Sequence, residues 1–249
     1  MMTSGTRCTT GPAAAASLPY SSPIASTRWH GVDVIGRPNS DASRVGSAAL
    51  SVLSAIMESA PVYRIWQAPY ARQKLALVRR HNDLRRALRV LDVGCGPGTN
   101  TPAFTHARYV GVDCNHNYLR YARARYGKNF AVVDARRPFA RSAARFDFIL
   151  LNSFLHHFCL EDTRDILSRV KMLLGEGGHV HILDLVMPER RGIAWALAKL
   201  DRGKFARPAQ EWRQIFCEAF ESVIFEPFAV RTLGIPLWHI VYFKGGRRA

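Results

Sequence analysis

Val90-Leu-Asp-Val-Gly-Cys-Gly-Pro-Gly98 runs from a short apolar strand straight into a turn with glycine at every second position. Glycines in such a turn let the backbone approach a ligand closely. The turn departs from the G-x-G-x-x-G/A pattern of nicotinamide-dependent dehydrogenases. Its third glycine comes one residue early, Pro97 stands before that glycine, and position 99 is Thr.

Working outward, Tyr109-Val-Gly-Val-Asp113 reads as a second strand and Phe130-Ala-Val-Val-Asp134 as a third. Phe146 to Leu151 reads as a fourth and Val180 to Val186 as a fifth. Helices are expected at about 99–107, 115–126 (stopped by Gly127), 161–174, 190–201 and 208–220. Alternating strands and helices imply a parallel sheet with right-handed crossovers. Two closing β runs, Val223–Arg231 and Leu237–Lys244, are joined through Gly234-Ile-Pro236 and must pair antiparallel. The expected fold is α/β: a doubly wound, mostly parallel seven-stranded sheet with an antiparallel last strand.

Asp113 lies nineteen residues after Gly94, at a strand tip, where a carboxylate can accept both hydroxyls of a ribose. The ordered motifs Val-Leu-Asp-Val-Gly-Cys-Gly-Pro-Gly98, Gly-Val-Asp113, Val-Val-Asp134, Phe-Asp-Phe-Ile-Leu-Leu-Asn152 and Gly-Gly-His-Val-His-Ile-Leu-Asp184 resemble those of class I S-adenosylmethionine-dependent methyltransferases over about residues 88–188. The resemblance implies that cofactor and a Rossmann-like core. It places Gly94, Cys95, Gly96 and Gly98 under the methionine part, with Asp92 orienting the turn. It puts Asp113 and neighbouring Cys114 at the ribose, Asp134 and Ala135 at the adenine, and Asn152 and Ser153 at the sulfonium. Asp134 has a plainer alternative, as a turn-capping acid.

Methyl transfer from a sulfonium is mainly a problem of alignment. A base is needed only where the acceptor must lose a proton. His157, His156 and Asp184 are the candidates, since the histidines follow strand four and Asp184 ends strand five. His179 and His181 alternate on one strand and are expected to pack. Substrate contacts are sought outside the five-strand core. Tyr63, Trp66 and Tyr70 come from an N-terminal helical stretch interrupted at Pro69, and Arg190 and Arg191 open a basic, aromatic segment that includes Arg202. An arginine pair beside a pocket can grip a carboxylate or phosphate.

The 249 residues are 48% hydrophobic and 22% charged, ordinary values for a globular chain. Residues 1–42 are rich in Ser, Ala, Gly and Pro, with no acid before Asp33, and read as a disordered tail. Residues 43–88 read as a helical lid, and 89–249 as the cofactor-binding core with a helical insertion at about 189–220. No apolar stretch is long enough for a membrane helix. The five cysteines show no metal spacing and suggest free thiols in a reducing, cytoplasmic setting. No metal site is expected. The net charge of +16 favours an anionic partner, although 29 of the 35 basic residues are arginines in an Ala-rich chain, as coding bias gives. A small-molecule acceptor of secondary-metabolite, lipid or quinone type, acidic if the charge excess reports on it, is the first expectation. An RNA or DNA methyltransferase is the alternative, but Asn152-Ser-Phe-Leu155 departs from the Asn/Asp-Pro-Pro-aromatic run of enzymes that methylate base amines. A non-catalytic cofactor-binding protein is a third reading. The oligomeric state is not legible in the sequence.

Overall fold

Short apolar runs separated by amphipathic stretches form a single seven-stranded sheet, β3-β2-β1-β4-β5-β7-β6. A computed structural model describes residues 60–137, 145–201 and 203–247, with side chains from Tyr70 onward. The expected tail 1–42, the start of the lid at 43–59, and Arg202 lie outside the described residues, as do the side chains of Tyr63 and Trp66. The central strands are β1 (Arg89–Val93), β2 (Arg108–Asp113), β3 (Asn129–Val132), β4 (Phe146–Asn152) and β5 (Leu174–Leu185), all parallel. The closing strands are β6 (Glu221–Thr232) and β7 (Ile235–Gly246). β7 runs antiparallel to both β5 and β6, as expected of the reversed last strand.

The hairpin turn is tighter than the sequence reading. It uses only Leu233 and Gly234, both with positive φ (49° and 81°), which matches the twist of the flanking strands. Pro236 pairs within the ladder on the side of the edge strand.

Among the described residues five helices cover the sheet: α1 (Ala60–His81), α2 (His116–Tyr126), α3 (Leu160–Leu173), α4 (Ile193–Leu200) and α5 (Ala209–Ala219). The expected break of α1 at Pro69 does not occur; the helix runs through it. The helix expected after the glycine turn is reduced to a single 3-10 turn, Thr101–Phe104, with Pro102 near its start.

Strand side chains alternate between two cores, one on each face of the sheet. In β4, Ile149 and Leu151 face α3 and α5 through Ile166, Leu167, Trp212 and Phe216. Phe148 and Leu150 face the opposite side, with Leu75 and Val78 of α1 and Leu119 of α2. His181 packs as expected: its ring stacks on Phe148 at 3.8 Å and lies 3.0 Å from the Tyr242 hydroxyl. Polar ties hold α1 to the closing hairpin. The Gln73 amide exchanges two hydrogen bonds with the backbone of Arg231, and Arg80 and His81 both pair with Glu226. These contacts bring the middle of α1 to the carboxyl edge of β1 and β4.

Candidate active site

The site begins where β1 ends. Asp92, fully buried, takes hydrogen bonds on Oδ2 from the Tyr109 hydroxyl at 2.7 Å and the Asn100 amide at 3.2 Å. Burial pushes its carboxyl up to about 7, against the pull of those two bonds. Asn100 in turn accepts from the Asn152 amide at 3.1 Å, which ties the turn after β1 to the end of β4. The turn itself is anchored to β2, since Gly94 N and Cys95 N both donate to Val112 O. Gly94 and Gly98 have φ of +70° and +79°, which L side chains rarely adopt. A Cβ on Gly94 would also lie 2.2 Å from the Phe154 ring.

Asp113 stands across the turn. Its Oδ2 accepts from Gly96 N and its Oδ1 from Asn115 N, both at 2.8 Å. A carboxylate offers about four lone-pair positions, so these bonds orient it and leave capacity for hydroxyl donors. Burial raises its carboxyl from the ordinary range, opposed by the backbone donors.

After β4, Ser153 adopts a φ of +56°, and its backbone N–H donates to Leu183 O at 2.7 Å. The next residues are pinned by Asp184, whose Oδ2 accepts from Leu155 N at 2.7 Å. Asp184 Oδ1 lies 2.6 Å from His156 Nδ1, and Asp201 Oδ1 lies 3.2 Å from His156 Nε2. Burial opposes charge on this imidazole, but the Asp184 charge and the bonds from both carboxylates outweigh it and raise its pKa to about 9. Burial likewise opposes ionisation of Asp184, and His156 overcomes it to hold that carboxyl low. With a carboxylate on each nitrogen, the ring has no lone pair to take a proton from an acceptor. His156 and Asp184, expected as catalytic groups, form a buried ionic clamp on the loop after β4. His157 is exposed, with its ring 4.3 Å from that of His156.

The structure brings Gly94, Cys95, Asn152 and Ser153 together around one cleft, which Ala71 and Lys74 of α1, Thr99 and Asn100 also line. Lys74 was not singled out by the sequence reading. Its Nζ donates to Ser153 Oγ at 2.6 Å. Burial lowers its pKa to about 8, with the fields of Asp184 and Asp201 opposing. Asp134 departs from its expected place. β3 ends at Val132, so Asp134 sits in the following turn rather than at a strand tip. There it caps Arg136 N and takes a two-pronged bond from the Arg136 guanidinium at 3.0 and 3.1 Å, which lowers its carboxyl. That is the turn-capping alternative. Ala135 is buried, and its carbonyl accepts from Arg169. Cys114 is exposed beyond β2.

Tyr70 packs against the core on the α1 side, while Arg190 and Arg191 are exposed, Arg191 lying 5.6 Å above the Trp195 ring. None of the three lines the cleft. Among the described residues no cluster of His, Cys, Asp and Glu can hold a metal, and no helix is long and apolar enough to cross a membrane.

The residues present fit a polar nucleoside ligand. Asp92 Oδ1 and Thr99 Oγ1 are buried beside the turn with no hydrogen-bond partner among the described residues. Buried polar atoms are rarely left so without a function. A glycine backbone, a carboxylate across from it and unsatisfied polar atoms beside the turn suit a sugar and an amino-acid group together.

Residues 90–178 match the methyltransferase domain family. An uncharacterised methyltransferase of Mycobacterium tuberculosis is 34% identical over 116 residues, 43% of this chain and 56% of its own length. The chain thus spans little more than half of that relative. Among solved structures, magnesium protoporphyrin IX methyltransferase from Synechocystis superimposes with a TM-score of 0.58 at 14% identity, covering 80% of this chain and 100% of that one. The N-methyltransferase NodS from Bradyrhizobium japonicum gives 0.55 at 17% identity, covering 71% and 85%. Both were solved with bound S-adenosylhomocysteine. Residues 90–178 thus match the methyltransferase domain family, and the sheet order with its reversed β7 is shared with solved methyltransferases.

Proposed function

We propose that the chain binds S-adenosylmethionine over the glycine turn and transfers its methyl group to a small-molecule acceptor of acidic character. The observation that carries this reading is the hydrogen bond from Gly96 N to Asp113 Oδ2, which sets an oriented carboxylate against the bare backbone of the glycine turn. The cofactor supplies a methyl group already activated on a sulfonium. The protein's part is then alignment, and positioning alone supplies up to about 7–11 kcal/mol in well-oriented systems. In this reading Asp113 holds the ribose, Gly94 to Gly98 underlie the amino-acid end, and Asn152 and Ser153 border the reacting centre. α1 acts as the lid, and the Asp184–His156–Asp201 clamp fixes the loop that faces it. Where the acceptor must lose a proton, His157 is the candidate base, being the exposed member of the pair. The excess of basic residues supports an acidic acceptor, and the free thiols of Cys95, Cys114 and Cys159 support a reducing cytoplasmic location.

The test is direct. Calorimetry with S-adenosylhomocysteine should give a saturable isotherm. Methyl-labelled cofactor incubated with a small-molecule extract should yield a labelled low-mass product. Label appearing in RNA instead would overturn the acceptor class, and no binding of either nucleoside thioether or cofactor would overturn the function.

A further inference from the structure

α1 carries a lysine where its buried stripe calls for an apolar side chain. Ala71, Lys74, Leu75 and Val78 fall on one helical face, and Lys74 is only 6% exposed. Its Nζ meets the Ser153 hydroxyl at 2.6 Å. Asp184 and Asp201 act on it only through their fields, and among the described residues no carboxylate lies within ion-pair distance. An ammonium has three donors, and Ser153 engages one. Burying a cation without an anion beside it is costly, and packing against Leu75 and Val78 gains nothing from the charge. The same cleft wall holds Thr99, whose hydroxyl is buried and without a partner among the described residues. Lys74 and Thr99, each with an unspent donor, therefore line one small cleft beside a turn of bare backbone.

We propose that Lys74 is a carboxylate receptor, with Thr99 as its second donor and Ser153 aligning its ammonium. The proposal rests on the cofactor-binding reading above. Two sources have this chemistry: the amino-acid end of the cofactor, or an acidic acceptor lying beside it.

The experiment compares full-length wild type with Lys74→Met and Lys74→Gln by calorimetry. Three probes are used: S-adenosylhomocysteine, 5′-methylthioadenosine, which keeps the nucleoside but lacks the carboxylate, and benzoate or octanoate added to protein saturated with S-adenosylhomocysteine. If the cofactor supplies the carboxylate, both variants lose S-adenosylhomocysteine affinity on the order of 10- to 100-fold, as for a charge-assisted bond, and keep that for methylthioadenosine. Lys74→Arg retains most of it. If the acceptor supplies it, both thioethers bind as before, and the variants lose benzoate or octanoate binding that the wild type shows. Lys74→Met is expected to melt no lower than wild type, because it exchanges a buried ammonium for an apolar chain of similar length. Lys74→Gln keeps a donor for Ser153 and removes only the charge, so it separates recognition from packing. Unchanged affinity for all three probes overturns the proposal. So does an equal loss of both thioethers, which would make Lys74 a packing residue. Failure of the wild type to bind either thioether is a different result: it overturns the cofactor reading itself, and the receptor with it.

Discussion

The His156 imidazole and the Asp184 carboxylate meet 2.6 Å apart in the interior, one at the end of β4's loop and the other at the end of β5. Asp201, from the segment after α4, closes on the opposite ring nitrogen. Two further bonds seal that segment: Phe205 N donates to His156 O, and Met187 N donates to Arg207 O. One side chain thus joins the loop after β4, the end of β5 and the segment after α4.

Replacing His156 by Asn leaves two carboxylates facing each other without a cation. Breaking a buried pair in this way costs about 3–5 kcal/mol, so a large fall in denaturant midpoint is expected. Hydrogen exchange should show the Phe205 amide among the first to lose protection. A variant with unchanged stability would mean that the clamp is neutral.

The clamp also sets how stability varies with pH. His156 titrates near 9 in the fold and near 6.5 when free. Between those values the folded state holds a proton that the unfolded state has released. Its contribution is therefore complete below about pH 6.5 and is lost as pH rises toward 9. Asp184 and Asp201 have the opposite sense: their depressed carboxyls contribute above 3.8, and the contribution is lost as pH falls below that. Urea titrations of the wild type should show stability declining from pH 6.5 to 9, and His156→Asn should flatten that decline.

Asp113 and Asp134 make a paired test of the cofactor site. Asp113 is held by backbone donors, Gly96 N of the glycine turn and Asn115 N of its own, whereas Asp134 is taken up by Arg136. Asp113→Ala should weaken S-adenosylhomocysteine on the order of 10- to 100-fold, the worth of hydrogen bonds to a charged group. Asp134→Ala should change affinity little and cost at most about 1 kcal/mol in stability, the usual worth of an exposed pair. Equal losses in the two variants would return Asp134 to the adenine.

The sequence made the frame legible because the frame is local. An apolar run, a glycine turn and an acid at the next strand tip are each written within a few residues, and the sheet order follows from their alternation. What was not legible depends on contacts distant in sequence. His156 read as a base because its neighbours in the chain, Leu155 and His157, say nothing of Asp184 and Asp201. Asp134 read as a strand tip because Val133-Asp134 continues the β pattern, while Arg136 two residues on bends the chain into a turn. Lys74 was one basic residue among eight in 61–90. The available signal was its place between Ala71 and Val78 on the apolar face, where an exposed arginine would not fall.

Gly94 gives the sharpest test of why the turn is built as it is. Its φ of +70° disfavours any L side chain, and an added methyl would sit 2.2 Å from Phe154 Cδ2. Phe154 has little room to retreat: its ring packs 4.9 Å from Phe158, and its backbone N–H reaches Asp184 at 3.3 Å. Gly94→Ala should therefore displace the Phe154 loop and carry Ser153 with it. Overpacking and backbone strain together should cost about 1–3 kcal/mol or more. Phe154→Ala in the same chain removes the ring that the methyl strikes. The double variant should regain the part of the stability lost to the clash, while the part due to positive φ remains. Full recovery in the double variant would show that φ at this position costs nothing, and no recovery would show that the clash costs nothing.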